Sequence, residues 1–422
     1  MEKTIRKTEV DGIIQIPGSK SQTIRALIIA SLADGESIIL HPLDSSDTRS
    51  CLNACRAFGA EISESSGRWT VKGTNGQPET PDNVIDVGNS GTTLYLLTSV
   101  AALQENWIVF TGDEQIRSRP AEALLAALRD LGARTLSTRE NGIAPYLIGG
   151  PIAGGETTIE CPTSQYLSSL LLAAPLAQKD TTIRISLLNE QPYAEMTLKW
   201  LDDQGIKYSN DNFQNIHIQG GQKYRNFTRA IPGDFSSATF FLCAAAVTGG
   251  TVTIEGLDFE DPQGDKAVVE MLTHMGCAVE ISPSKVIIRG GTLTGCDLDL
   301  NATPDALPAL AAAACFAEGT TRLMNVPQAR LKETDRIKVM CEELSKMGGR
   351  IQEMPDGLII QGNGPGKGLR GASVNGWSDH RVVMALAVAG LGASGETAIE
   401  TAEAVDITFP GFFDLLDSIC TK

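Results

Sequence analysis

The chain has 422 residues, enough for two or three domains or one large repeated body, and for a sizeable core. Fifty-one acidic residues against 35 basic ones give a formal charge of −16, which excludes non-specific nucleic-acid binding. A cluster of Arg and Lys can still hold a small anion inside an acidic surface.

The longest apolar stretches, around Ala306–Ala317 and Val382–Leu391, fall short of the ~20 residues that span a bilayer. The polar opening MEKTIRKTEVDG has no apolar signal segment, so the expectation is a cytoplasmic protein with no membrane partner. The nine cysteines are scattered without a CxxC, and the four histidines show no metal-ligand spacing. Reduced, buried thiols are expected.

Taken in chain order, one pattern recurs six times. A polar turn opens a helix of small apolar residues, a β-like run follows, and then a second, amphipathic helix. The first helices open at Gly18, Gly88, Pro162, Gly233, Thr303 and Ser378, 70 to 75 residues apart. Their partners include DTRSCLNACRAFGA, RPAEALLAALRDLGA and KETDRIKVMCEELSKMGG. Leu128 with Leu131, and Leu344 with Met347, are apolar pairs at helical spacing. TTIRISLL and TVTIEGL are β-branched and read as strands. Most of the second helices end at a glycine. The reading is an α/β or α+β protein whose repeats divide three and three. Residues 19–232 form one body, and residues 1–18 with 233–422 form the other, the first 18 supplying a strand. Crossings near Gly18 and Gly233 suit a hinge.

Chemistry gathers at the first turns. A helix apolar all round is buried, so its polar first turn faces a cavity. Helix N-termini offer free N–H groups and a positive dipole end, which attract anions. Capping alone explains any single Ser, Thr or Asp there. Six polar starts, many of them charged, favour an anion trap. The residues are Lys20, Ser21 and Arg25 in the first repeat, and Asn89, Gly91, Thr92, Arg117 and Arg119 in the second. The fifth has Asp305, Arg330, Lys332, Glu333 and Arg336, and the sixth Asp379, His380 and Arg381. The run KETDR also reads as a helix start with i, i+4 spacing between Lys332 and Arg336. GNSGTT lacks the Lys-Ser/Thr of a nucleotide phosphate loop.

The segments PGSKSQTIRAL, GNSGTT, SRP, TSQYLSSLLLAAP, QPYAEMTL, GDFSSA, QGD, PDALPALA, RLKETDR and SDHR together resemble the enolpyruvyl transferases, and within them the 5-enolpyruvylshikimate-3-phosphate synthases. They occur in the family's order across the whole chain. The resemblance implies a two-domain inside-out α/β barrel, each domain three βαβαββ repeats, with the active site in the interdomain cleft. It implies phosphoenolpyruvate and shikimate 3-phosphate as substrates, glyphosate as an inhibitor, a monomer, and no metal or organic cofactor. Lys20, Ser21, Arg25, Thr163, Ser164, Gln165, Tyr193, Asp305, Gln328 and Lys332 are the implied shikimate 3-phosphate ligands. Lys20, Asn89, Gly91, Thr92, Arg119, Gln165, Arg336, His380 and Arg381 are the implied phosphoenolpyruvate ligands. Asp305, Glu333 and Lys20 are the implied catalytic residues, Asp305 as base and Glu333 as proton carrier to the methylene carbon.

Four positions depart from the pattern. Thr163 replaces a usual Ser and Gln328 a usual Asn. Glu190 stands where many members place a phosphate-contacting Ser, and the expectation is that it turns away, leaving Asn189 to substitute. Ile407 stands where many carry a Lys for phosphoenolpyruvate. The sister transferases acting on UDP-N-acetylglucosamine are disfavoured, because their Lys-Asn pair is Lys20-Ser21 here and their loop cysteine is missing around Arg117–Arg119. RNA 3′-phosphate cyclases share a distant fold but do not suit the acidic charge. A non-catalytic homologue is motivated by Glu190 and Ile407 and opposed by Asp305, Glu333, Lys20 and the arginines.

Overall fold

The computed structural model describes residues 1–364 and 368–421. The chain forms two compact units, one of Gly18–Ile231 and one of Met1–Pro17 with Pro232–Lys422.

In the unit Gly18–Ile231 the helices are α1 (Lys20–Leu32), α2 (Ser46–Ala57), α3 (Gly91–Ala101), α4 (Glu122–Asp130), α5 (Ser164–Ala173) and α6 (Gln191–Gln204). Its strands form three four-stranded sheets among the described residues. The middle repeat shows the rule. Ile85–Asp86 runs parallel to Ile108–Thr111 across α3. Ile108–Thr111 is antiparallel to Tyr146–Gly149, which is antiparallel to the edge strand Arg134–Ser137. This is a βαβαββ unit: one helical crossover makes the parallel pair, and a hairpin closes the sheet. The first repeat takes its parallel strand from the far end of the same unit, where Thr228–Ala230 pairs with Ile38–Leu40.

The second unit repeats the plan with α7 (Phe235–Thr248), α8 (Ala267–His274), α9 (Leu307–Ala314), α10 (Arg336–Lys346), α11 (His380–Gly392) and α12 (Phe412–Ile419). The N-terminal segment supplies two strands here, one more than expected. Asp11–Gln15 lies parallel to Thr251–Glu255, and Lys3–Arg6 lies antiparallel to Glu396–Glu400.

Each core sits on helices with no polar face. Residues 22–32 of α1, 235–246 of α7 and all of α9 are buried. Such helices are stable only when wrapped on all sides, and the first helix of each repeat is the one so wrapped. The second helices bury one stripe, as α4 does with Leu124, Leu125, Ala127 and Leu128. Side chains facing solvent therefore lie on the second helices and outer strands. The polar atoms of an inner helix emerge only at its ends.

Two expectations are corrected. The fifth inner helix does not start at Thr303: Pro304–Ala306 is a 3₁₀ turn and α9 begins at Leu307. Prolines 304 and 308 lack N–H donors and are tolerated only in the first turn. Lys332 and Glu333 are not on α10. They lie in the link between the 3₁₀ turn Pro327–Leu331 and Arg336, and Asp335 caps α10 by accepting from the Lys338 N–H at 3.0 Å. The supposed helical spacing of Lys332 and Arg336 therefore has no meaning.

Candidate active site

In the unit Gly18–Ile231 most of the candidate residues sit at the starts of α1, α3, α5 and α6. Lys20 opens α1, and its Nζ lies 3.0 Å from Oδ2 of Asp47 in the first turn of α2. Their side chains are 13% and 4% exposed, so the pair is largely removed from water. Asp47 was not singled out from the sequence. It lies 27 residues from Lys20, a separation at which no local pattern signals pairing.

Arg25 is buried one turn further along α1. Its guanidinium donates to the Ser21 and Tyr193 carbonyls, to Thr197 Oγ1 and to Ser168 Oγ. It therefore ties α1 to α5 and α6 and holds Ser21 and Tyr193 in place.

At α3, Ser90 caps the helix by accepting from Thr93 N–H, leaving Gly91 and Thr92 in the first turn. Asn89 donates to Asp113 Oδ2 at 2.6 Å and Gln115 Oε1 at 2.7 Å, which anchors the turn. Buried Arg119 lies directly over Gly91: a Cβ built on Gly91 would stand 2.0 Å from Arg119 Nη1. Only a residue without a side chain leaves that guanidinium where it is.

The start of α5 overturns one expectation. Thr163 caps the helix by accepting from Gln165 N–H at 3.4 Å. Glu190 does not turn away from this end. Its Oε2 accepts from Thr163 Oγ1 at 2.9 Å, Ser164 Oγ at 3.2 Å and Ser164 N–H at 3.3 Å. Glu190 is 1% exposed and stands at the start of α6 in a left-handed turn, φ 57°. A helix N-terminus attracts the carboxylate through its free N–H groups and dipole, and that attraction decides the orientation. Asn189 instead donates to the Pro162 carbonyl at 3.3 Å. The side-chain amide oxygen of Gln165 is buried with no hydrogen-bond partner among the described residues.

In the second unit the candidates converge on one guanidinium. Arg336, 1% exposed, opens α10. Its Nη1 lies 2.8 Å from Asp305 Oδ1, its Nη2 2.5 Å from Glu333 Oε2, and its Nε 2.8 Å from Asp379 Oδ2. Burial opposes its charge, but Asp379, Glu333 and Asp305 together outweigh that, and its pKa is raised. Arg381 Nη2 reaches the other oxygen of Asp305 at 3.1 Å. Asp379 also caps α11 by accepting from Arg381 N–H at 2.9 Å, with buried His380 between them. Asp379 therefore organises the cluster, a role not assigned from the sequence. Gln328 is buried and donates to the Asn301 carbonyl at 3.0 Å. Lys332 is half-buried beside Glu333. Ile407 ends a 3₁₀ turn, Ala402–Ile407, and packs half-buried on the apolar core.

These arrangements gather anion-binding groups at helix starts in one unit and carboxylates around a buried guanidinium in the other. The comparisons give the chain a family. The family model described as EPSP synthase (3-phosphoshikimate 1-carboxyvinyltransferase) matches residues 5–416. A protein of Ruminiclostridium cellulolyticum named 3-phosphoshikimate 1-carboxyvinyltransferase is 52% identical over 98% of this chain and 97% of its own. One of the same name from Acetivibrio thermocellus is 53% identical over 98% of this chain and 96% of its own. A solved structure of EPSP synthase from Acinetobacter baumannii aligns with a TM-score of 0.83 at 30% identity, covering 99% of this chain and 98% of that one. The chain belongs to the EPSP synthase family.

Proposed function

We propose that this protein transfers the enolpyruvyl group of phosphoenolpyruvate to the 5-hydroxyl of shikimate 3-phosphate and releases phosphate. The observation that carries the reading is the pair Asp305 and Glu333 on one buried guanidinium. Family membership supports it.

The reaction needs two proton transfers. Asp305 takes the hydroxyl proton as the oxygen bonds to the central carbon of phosphoenolpyruvate, and Glu333 delivers a proton to the methylene carbon. The product of addition is a tetrahedral phospho-ketal. Loss of phosphate and of one methyl proton then gives the enol ether. Two carboxyl groups in unlike surroundings can carry these opposite duties. Arg119, Arg336 and Arg381, with Lys20, hold the phosphate and carboxylate of phosphoenolpyruvate, for which guanidinium forks are suited. Asn89, Gly91, Thr92, Gln165 and His380 complete that set. Thr163 and Ser164 hold the shikimate phosphate. Ser21, Arg25, Gln165, Tyr193, Gln328 and Lys332 hold and shape the ring pocket. The buried, unpartnered oxygen of Gln165 is an acceptor for a substrate hydroxyl.

Glyphosate inhibits by competing with phosphoenolpyruvate, and the protein works as a cytoplasmic monomer. No described helix is long and apolar enough to cross a membrane.

The test is phosphorus NMR of the purified protein with both substrates. The expected result is the enol ether and inorganic phosphate in equal amounts, and neither when one substrate is left out. Binding of both substrates without either product would favour a non-catalytic homologue.

A further inference from the structure

Glu190 sets the terms on which a phosphate reaches the start of α5. The donors there are Thr163 Oγ1, Ser164 Oγ and Ser164 N–H, and all three point at one oxygen of Glu190, at 2.9, 3.2 and 3.3 Å. Capping does not require this carboxylate, because Thr163 already accepts from Gln165 N–H. The contact is also not a chance surface approach, since Glu190 is 1% exposed and Ser164 fully buried. The backbone around Glu190 is fixed: Asn189 N–H donates to the Cys161 carbonyl, and Tyr193 N–H donates to the Glu190 carbonyl. The side chain joins that backbone through three rotatable bonds, so the carboxylate can change place while the turn stays as it is.

Resting on the function proposed above, we propose that Glu190 is a resident anion on the phosphate cradle and a specificity-determining residue for the phosphorylated acceptor. The same three donors serve the Glu190 carboxylate in the free enzyme and the substrate phosphate in the complex. Two anions cannot share them, because like charges at this spacing in a water-poor site repel strongly. Binding the acceptor therefore requires Glu190 to swing off the helix end, and part of the phosphate's attraction is offset by losing the carboxylate's own. The consequence is a weakened preference for phosphorylated over unphosphorylated acceptor. Phosphoenolpyruvate affinity is untouched by this competition.

The experiment compares the wild type with Glu190→Gln and Glu190→Ser. Gln keeps length and an acceptor oxygen for the three donors, so a purely structural role is preserved while the charge is lost. The expected result is a KM for shikimate 3-phosphate lowered by about tenfold or more, equivalent to ~1.4 kcal/mol. The KM values for phosphoenolpyruvate and for shikimate without its phosphate stay within about twofold. Inorganic phosphate, titrated calorimetrically, binds Glu190→Gln more tightly than wild type. This second readout needs no turnover, so a wild type that fails to turn over sinks the proposed function and still leaves Glu190 judged. An unchanged or raised KM, with unchanged phosphate binding in Glu190→Gln, overturns the proposal. Should Glu190→Ser fail to fold, Glu190→Gln decides alone.

Discussion

The start of α5 and the start of α10 solve the same problem by different means. Both gather groups suited to an anion, and both are occupied by the chain's own carboxylates. At α5 the donors are neutral hydroxyls and one N–H, and a single carboxylate satisfies them. At α10 the donor is a fully buried guanidinium, and three carboxylates enclose it. A neutral cradle can be vacated at less cost than a charged one, since its uncovered donors carry no net charge. A buried cation cannot be, because an uncompensated charge inside a protein costs several kcal/mol. The first arrangement suits a ligand that replaces the carboxylate; at the second, an arriving anion has to join the carboxylates around Arg336 rather than replace them.

Breaking the framework has the largest expected effect. Arg336→Met leaves Asp305, Glu333 and Asp379 facing one another, and should destabilise its unit by about 3–5 kcal/mol. Urea unfolding followed by circular dichroism checks this, and adding Asp379→Asn to that variant should recover part of the loss. Equal stability of Arg336→Met and wild type would remove the contrast between the two helix starts.

Lys20→Met is the intermediate case. Its pair with Asp47 joins one cation to one carboxylate at 3.0 Å, against three carboxylates on Arg336, so the expected cost is about 1.5–3 kcal/mol in the same unfolding measurement.

Gly91→Ala tests the tight fit under Arg119. The new methyl must displace the guanidinium that lies 2.0 Å from its position. The KM for phosphoenolpyruvate should rise and glyphosate inhibition should weaken by about tenfold or more, roughly the effect of misplacing one charged hydrogen bond. Steady-state inhibition curves decide it, and curves that superimpose on wild type contradict it. The smallest change belongs to Thr163→Ser, which keeps the hydroxyl that donates to Glu190. Its KM for shikimate 3-phosphate should stay within about twofold of wild type, ~0.4 kcal/mol.

How much of this was legible in the sequence follows from range. The six inner helices were visible because their apolar character is local and continuous, and so was the polarity of their first turns. The α/β class followed from alternating strands and helices. Long-range partners were hidden. Asp47 pairs with Lys20 through the packing of α1 against α2, and Asp379 meets Arg336 from 43 residues away. Glu190 was noticed as a misfit, yet its direction was misjudged. Its sequence position speaks of repulsion from a phosphate, whereas the attraction of the α5 helix end becomes visible only in the fold. The late start of α9 was readable from Pro304 and Pro308 but was masked by the alanine run that follows. Lys332 and Arg336 show the opposite error, helical spacing read into a segment that is not helical.

The measurement that bears most directly on the carboxylate pair is phosphate release by wild type and Asp305→Ala, with binding of both substrates followed in parallel. The wild type should release phosphate only when both substrates are present. Asp305→Ala should bind both and release phosphate about a thousandfold more slowly, as expected for loss of a positioned general base. Release by Asp305→Ala at the wild-type rate would contradict the assignment of Asp305 as base.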